Sequence, residues 1–246
     1  MKNNNEMYIG RKFQALHPWL KGNNSITPAN FYEKYNPDLQ TTIFIALDLV
    51  VPLHLAYKVD TGNTYGAHDK NKEYIRKALK IAVIDEEDCG IPLTEDERDE
   101  IFEKLGEPPE SSYNIYLITI FDESGFEKVV YVGKTDSKES RFKNGHLAAL
   151  KLHDSQYKSY DKRVYFGTIT FLADNEKQDY LPLECFSSKD DIKKCLSDVE
   201  KALIRYFDCE LNTQKYFPET ITKATIHIQN FTSVSVFLND EIILLE

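Results

Sequence analysis

Two phenols, a guanidinium, a carboxylate and a primary amide, those of Tyr116, Tyr131, Arg141, Glu200 and Asn212, are spaced along one stretch of this chain in a way that suits the handling of a phosphate group. A guanidinium offers phosphate oxygens a rigid fork of donors. A phenol donates a proton or, once ionised, accepts one. Glu200 borders an apolar helical stripe, where an ionised carboxylate is costly unless a metal or an arginine partners it. Asn212 brings a short amide that fixes a loop or a phosphate oxygen. Gly133 lacks a side chain and so lets backbone or ligand come close, while Lys134, Lys138, Lys143, His146 and Lys151 are interleaved with the set.

The elements that must position these groups are legible in part. The β-branched and aromatic run from Asn114 to Phe121, the turn signal Asp122-Glu123-Ser124-Gly125 and the run Val129-Val130-Tyr131-Val132 predict a hairpin. A turn centred on Glu123 and Ser124 pairs Tyr116 directly with Tyr131, both phenols on one side. From Asp136 to Leu152 the pattern predicts a helix, with Asp136 as N-cap and Glu139 as its capping-box partner. Arg141 then falls in the first turns and reaches toward Gly133. A second helix starts at Ser187 with Asp190 three residues on, and Ile192, Leu196, Val199, Leu203 and Phe207 recur on its apolar face. Asn212 follows Glu200 by twelve residues.

These motifs resemble those of the GIY-YIG nuclease superfamily over roughly Tyr113 to Tyr216. Asn114-Ile115-Tyr116 stands at the first signature tripeptide and Tyr131-Val132-Gly133 at the second, followed by Arg141, Glu200 and Asn212 at the family's intervals. Two departures are visible. Asn114 replaces the first glycine, and His146 follows Arg141 by five residues where the family's optional histidine more often follows by four. Gly145 between them is a candidate bulge that returns the histidine to the same direction.

The resemblance implies an α+β fold, a GIY-YIG-like small antiparallel three-stranded sheet flanked by helices, over residues 111–217. An N-terminal α/β extension (1–106) precedes it and a C-terminal β extension (218–246) follows. The implied activity is metal-dependent DNA endonuclease cleavage to 5′-phosphate and 3′-hydroxyl ends, with Mg2+ or Mn2+ on Glu200. Tyr116 is then the base and Tyr131 its partner, with Arg141 on the phosphate and Lys134, His146 and Asn212 in support. Gly133, Lys138, Lys143 and Lys151 fall to the nucleic-acid contact. Restriction or mobile-element defence is the expected role. A structure-specific repair or recombination nuclease, and a non-cleaving nucleic-acid- or protein-binding regulator, are the alternatives.

Charge supports a nucleic-acid partner only when it is located along the chain. The net charge is −10, yet residues 85–110 alone carry twelve Asp or Glu against Arg98 and Lys104. Residues 128–163 carry nine Lys or Arg against four Asp or Glu, a net of plus five, which suits contact with a duplex backbone. Thr94 and Glu97 form a capping box that opens an acidic helix stopped by Gly106. A helix over Lys70–Ala82 and a strand or helix over Thr41–Val51 are also expected. Trp19, His17, Tyr32 and Tyr35 are candidate base contacts. Short strands are expected at Thr222–Gln229, Ser233–Leu238 and Glu241–Leu245, extending the sheet or forming a homodimer contact. The longest apolar run, Ile43 to Leu53, is too short to span a bilayer and contains Asp48 and Pro52. Four cysteines without metal-ligand spacing point to a reduced cytoplasmic setting and not to zinc.

Overall fold

The computed structural model describes residues 8–9, 43–59, 64–84, 93–109, 113–135, 141–172, 180–182, 189–213, 224–232 and 234–245. In chain order these form β1 (Tyr8–Ile9), β2 (Ile43–Pro52), α1 (Thr64–Ile81), α2 (Glu95–Leu105), β3 (Ile115–Phe121) and β4 (Glu127–Lys134). They continue with α3 (Leu147–Lys151), β5 (Asp161–Leu172), β6 (Tyr180–Pro182), α4 (Lys189–Tyr206), β7 (Ala224–Asn230) and β8 (Glu241–Leu245). Asp136, Lys138, Glu139, Ser187 and the aromatic residues His17, Trp19, Tyr32 and Tyr35 lie outside the described residues.

The small three-stranded sheet expected from the resemblance is overturned. Strands β4, β3 and β5 are antiparallel neighbours, but the sheet does not stop there. It is one mixed, curled sheet of eight strands in the order β4-β3-β5-β2-β7-β8, with β1 added to β2 and β6 to β5. The physical reason lies in β2. Its run Ile43-Phe44-Ile45-Ala46-Leu47 is buried throughout, and a near-continuous apolar run is the pattern of a strand covered on both faces. It pairs antiparallel with β5 and parallel with β7. The twelve-residue β5 has more length than the hairpin covers, and its second edge would stand unpaired without β2. Strands from all three expected segments therefore share one sheet.

Pleating sorts the side chains into two cores. On one face Ile45, Leu47, Ile115, Leu117, Val132, Ile169 and Ile226 meet Leu196, Val199 and Leu203 of α4. On the other, Leu49, Val51, Tyr116, Ile118 and Phe166 meet Phe142, Ala148 and Leu152 around α3. A bulge at position 48 lets β2 feed both: Leu47 and Leu49 oppose the adjacent residues Gly167 and Phe166. Helices α1 and α2 pack on each other in a third cluster, with Ile101 fully buried and the Tyr74 hydroxyl donating to Gly106 O at 2.6 Å. Both halves of the Thr94–Glu97 capping box are formed, and Gly106 closes α2 at φ 73°.

Three local expectations are corrected. The hairpin loop takes Asp122 to Phe126, closed by the Asp122 N–H on Phe126 O at 3.1 Å and by Gly125 at φ 88°. Together with a register shift between Ile118 and Thr119, this pairs Tyr116 with Gly133 and Tyr131 with Ile118. Each change displaces the register by one residue; their combined displacement of two leaves both tyrosines on the same face, diagonal instead of opposite. The predicted long helix ending at Leu152 is, among the described residues, a turn over 141–144 and the five-residue α3, because Gly145 at φ 89° breaks it. Residues 234–238 are bends and turns, not a strand. There the Asn230 amide donates to Phe237 O at 2.7 Å and accepts from the Thr232 N–H at 2.9 Å, taking the place of a ladder.

A buried polar knot joins the hairpin to β5 and the segment before β8. Glu127 accepts from Arg163 Nε at 2.8 Å, Thr119 Oγ1 at 2.7 Å and Tyr165 Oη at 3.1 Å, while Tyr165 Oη also meets Ser235 Oγ at 2.9 Å. The Arg163 guanidinium lies 4.0 Å from the Phe121 ring centre. With side-chain exposures of only 12% and 5%, this pair is worth keeping whole: removing one partner strands a buried charge. Glu127→Ala should cost about 3–5 kcal/mol in urea unfolding, and Glu127→Ala combined with Arg163→Leu should cost less than Glu127→Ala alone.

Candidate active site

Tyr116 is fully buried in β3, and its ring lies directly over Gly133 on the neighbouring strand. A Cβ at position 133 would sit 2.3 Å from both Cζ and Oη of that ring. The glycine of the second tripeptide is thus the space the phenol occupies. Tyr131, two residues before Gly133 on the same face, stacks on Tyr116 with ring centres 6.0 Å apart and planes at 26°.

Three side chains converge on the Tyr116 hydroxyl. His146 Nε2 is 2.9 Å away. The guanidinium of Arg141, a residue otherwise exposed, and the Tyr131 hydroxyl also hydrogen-bond it. Burial, and then the neighbouring Tyr131, push the Tyr116 hydroxyl well above the ordinary phenol pKa, against the opposite pull of Arg141. His146 is pushed down to about 4, first by burial and then by the Arg141 charge, so its imidazole is neutral at pH 7. Its Nδ1 is buried without a hydrogen-bond partner among the described residues.

The fifth position after Arg141 serves the histidine because no helix connects the two. Gly145 turns the chain with positive φ, and His146, extended at φ −134° and ψ 124°, caps α3 and points back to Tyr116. Phe142, which the sequence reading missed, holds the ring from behind: it stacks on His146 at 4.9 Å and meets Tyr116 edge-on at 5.1 Å. Its only sequence signal was an apolar residue in a polar turn.

Asn114, the departure from glycine, also has a physical account. It is 6% exposed and its side-chain oxygen accepts the Ile169 N–H at 3.2 Å, continuing the attachment to β5 past the last β3 pair. Asn212 is bound to the edge strand β4: its oxygen accepts the Val132 N–H at 3.0 Å and its amide donates to Val132 O at 2.8 Å. The adjacent Leu211 N–H donates to Val130 O at 3.0 Å, at the strand's bulge.

Glu200 is half-buried on α4, whose apolar side packs on the opposite face of the sheet from Tyr116. The chain leaving α4 rounds the β4 edge, with Cys209 in one core and Leu211 in the other. Asp198, a second carboxylate the sequence reading missed, is 1% exposed and pairs with Lys201 at 3.5 Å. Lys134, by strand alternation, starts from the α4 face beside Val132, while Lys143 is exposed and Lys151 half-buried. Lys138 lies outside the described residues. The structure therefore gathers Tyr116, Tyr131, Arg141 and His146 around one hydroxyl, with Gly133 beneath, and carries Glu200 on a separate helix.

Among the described residues, no three His, Cys, Asp or Glu side chains cluster as metal ligands. No described helix is long and apolar enough to cross a membrane. Comparisons with protein-family profiles, curated proteins and solved structures return no match.

Gly133→Ala should destabilise the protein by about 1–3 kcal/mol in urea unfolding, the usual range for overpacking. Adding Tyr116→Ala should cost less in that background than in the wild type, since the ring that clashes is the one removed. Because the His146 pKa is depressed, between the ordinary value of 6.5 and about 4 the unfolded chain binds a proton the folded chain refuses. Stability is full above pH 6.5 and falls as pH drops toward 4. Urea midpoints across that window should flatten in His146→Gln relative to the wild type.

Proposed function

We propose that this protein is a metal-dependent DNA endonuclease of the GIY-YIG chemical type, cutting phosphodiester bonds to 5′-phosphate and 3′-hydroxyl ends. The observation that carries the reading is the Tyr116 hydroxyl, held by Tyr131, Arg141 and His146. A phenol, a neutral imidazole and a guanidinium meeting at one oxygen make a proton-handling site beside an anion-binding group. In-line hydrolysis needs both.

The donor set fits a hard divalent cation better than zinc. A single carboxylate, Glu200, suits magnesium, which keeps most of its own waters and accepts one or two protein carboxylates, whereas zinc is usually held by three or four protein ligands. The ion, held by Glu200 on the α4 side of the sheet and so apart from the phenol cluster, would supply charge neutralisation on the phosphoryl and leaving oxygens. Everything else falls to this chain's residues.

Burial makes a standing Tyr116 phenolate costly. Tyr116 therefore works as a relay: as the attacking water gives a proton to its oxygen, its own proton passes to His146 Nε2, 2.9 Å away. The imidazole is neutral at pH 7 and so has a lone pair to offer, but burial and the Arg141 charge hold its pKa down to about 4, so it keeps the proton only transiently. Arg141 has five N–H donors, so one holds the phenol while others take a phosphate oxygen. Tyr131 orders the water and the phenol. Asn212 and Gly133 act through position, the first by fixing β4 and the second by leaving room for Tyr116. Within the basic stretch from 128 to 163, net plus five, Arg141, Lys143 and Lys151 supply backbone contacts, while Arg163 is held by Glu127. A free-standing nuclease for restriction or mobile-element defence is the preferred role, with structure-specific repair cleavage as its competitor.

Purified protein with duplex, branched and single-stranded DNA should cut at least one substrate with magnesium and none with chelator. Glu200→Ala and Tyr116→Phe should each lose about 100-fold or more in rate. Binding with no magnesium-dependent cutting by the wild type, or full activity in both variants, overturns the proposal.

A further inference from the structure

Beside the tyrosine cluster the surface carries an apolar pair that the catalytic reading leaves unused. Leu147 and Leu150 are 66% and 65% exposed, three positions apart on α3 and so on one side of it. The other side of the same short helix is committed to the core, where Ala148 and the following Leu152 are buried. Leu147 directly follows His146, whose ring touches both tyrosines. Exposed Arg141 and Lys143 precede the pair, and Lys151 follows it.

An apolar pair framed by cations has a specific complement in a DNA duplex: phosphates on the outside, and stacked bases reached from a groove. The cations fit the phosphates, and leucine is one of the side chains that wedges between base steps and unstacks them. A protein partner is less well matched, because cationic residues border the pair on both sides along the chain. Position agrees with this occupant. His146, the residue before Leu147, lies 2.9 Å from the Tyr116 hydroxyl that Arg141 also approaches, so the start of α3 adjoins a phosphate held by Arg141. Resting on the nuclease reading above, we propose that Leu147 and Leu150 form a wedge that enters the duplex at the step next to the scissile phosphate and opens it for in-line attack.

The wedge opens a stacked step before chemistry, so its removal slows cutting of intact duplex and spares substrates that are already open. Wild type and Leu147→Ser/Leu150→Ser are compared on a duplex with 2-aminopurine at successive positions, first with chelator and then with magnesium. Both substituted side chains are solvent-exposed, and matching unfolding curves verify the fold. The wild type should raise 2-aminopurine fluorescence at one step beside the cut, and the variant should not. The variant should cut intact duplex about tenfold or more slowly, and recover toward the wild-type rate when that step carries a mismatch. Equal fluorescence and equal rates in the two proteins overturn the wedge while leaving the nuclease standing. A wild type that neither binds nor cuts any duplex overturns both. Loss of rate on intact and mismatched duplex alike also overturns the wedge, since the pair then acts through something other than base unstacking.

Discussion

The contact of the Tyr116 ring with the bare backbone of Gly133 is the constraint on which the candidate site depends. A buried phenol needs both a place for its ring and a partner for its hydroxyl. The edge strand provides the place by carrying no side chain opposite, where even a methyl carbon would lie 2.3 Å from the ring. The partners then follow in order. Tyr131 stacks from the same strand, Phe142 closes from the turn, and His146 arrives after Gly145 has broken the helical path. Each brings a polar or aromatic edge to the same oxygen or ring, so the cluster is one cooperative unit and not a set of independent contacts.

Such a unit has to be built on something stiff, and β4 is by position the weakest place, an outer strand of the sheet. The chain secures it from outside. After α4 the backbone rounds the strand's edge, the Leu211 N–H takes the carbonyl at the bulge, and the Asn212 amide takes both polar groups of Val132. These bonds satisfy edge groups that would otherwise face solvent or another chain. From the strand's other end, Glu127 ties it to Arg163 of β5. An arginine–carboxylate pair this buried contributes little net stability, but it is demanding of register: a slip of one residue turns the carboxylate away from its partner and leaves both charges desolvated.

The charge distribution fits the same division of labour. The acidic excess is concentrated on and around α2, whose apolar edge packs on α1. The basic excess begins on β4, and its Arg141, Lys143 and Lys151 flank the turn and α3 that carry His146 to the tyrosine cluster, while Arg163 is paired with Glu127. Net charge alone, at −10, hides this, since local potential at a Debye length of about 8–10 Å follows the near charges and not the total.

What the sequence determined by itself was local. The hairpin, the capping box of α2, the apolar stripe of α4 and the identity of the polar residues around Tyr116 were legible, because period, caps and turn residues act over a few positions. Even the shared face of the two tyrosines was legible, since parity survives a displacement of two. The direct pairing of Tyr116 with Tyr131 was not, because a five-residue loop and a bulge each moved it by one. Tertiary structure alone decided that His146 meets Tyr116, that Phe142 backs it, and that the sheet runs to eight strands. The reason is the same in each case: these outcomes depend on which distant surfaces must be covered. The apolar run of β2 fits a strand or a helix until β5 and β7 offer it edges, and no short-range pattern encodes that meeting.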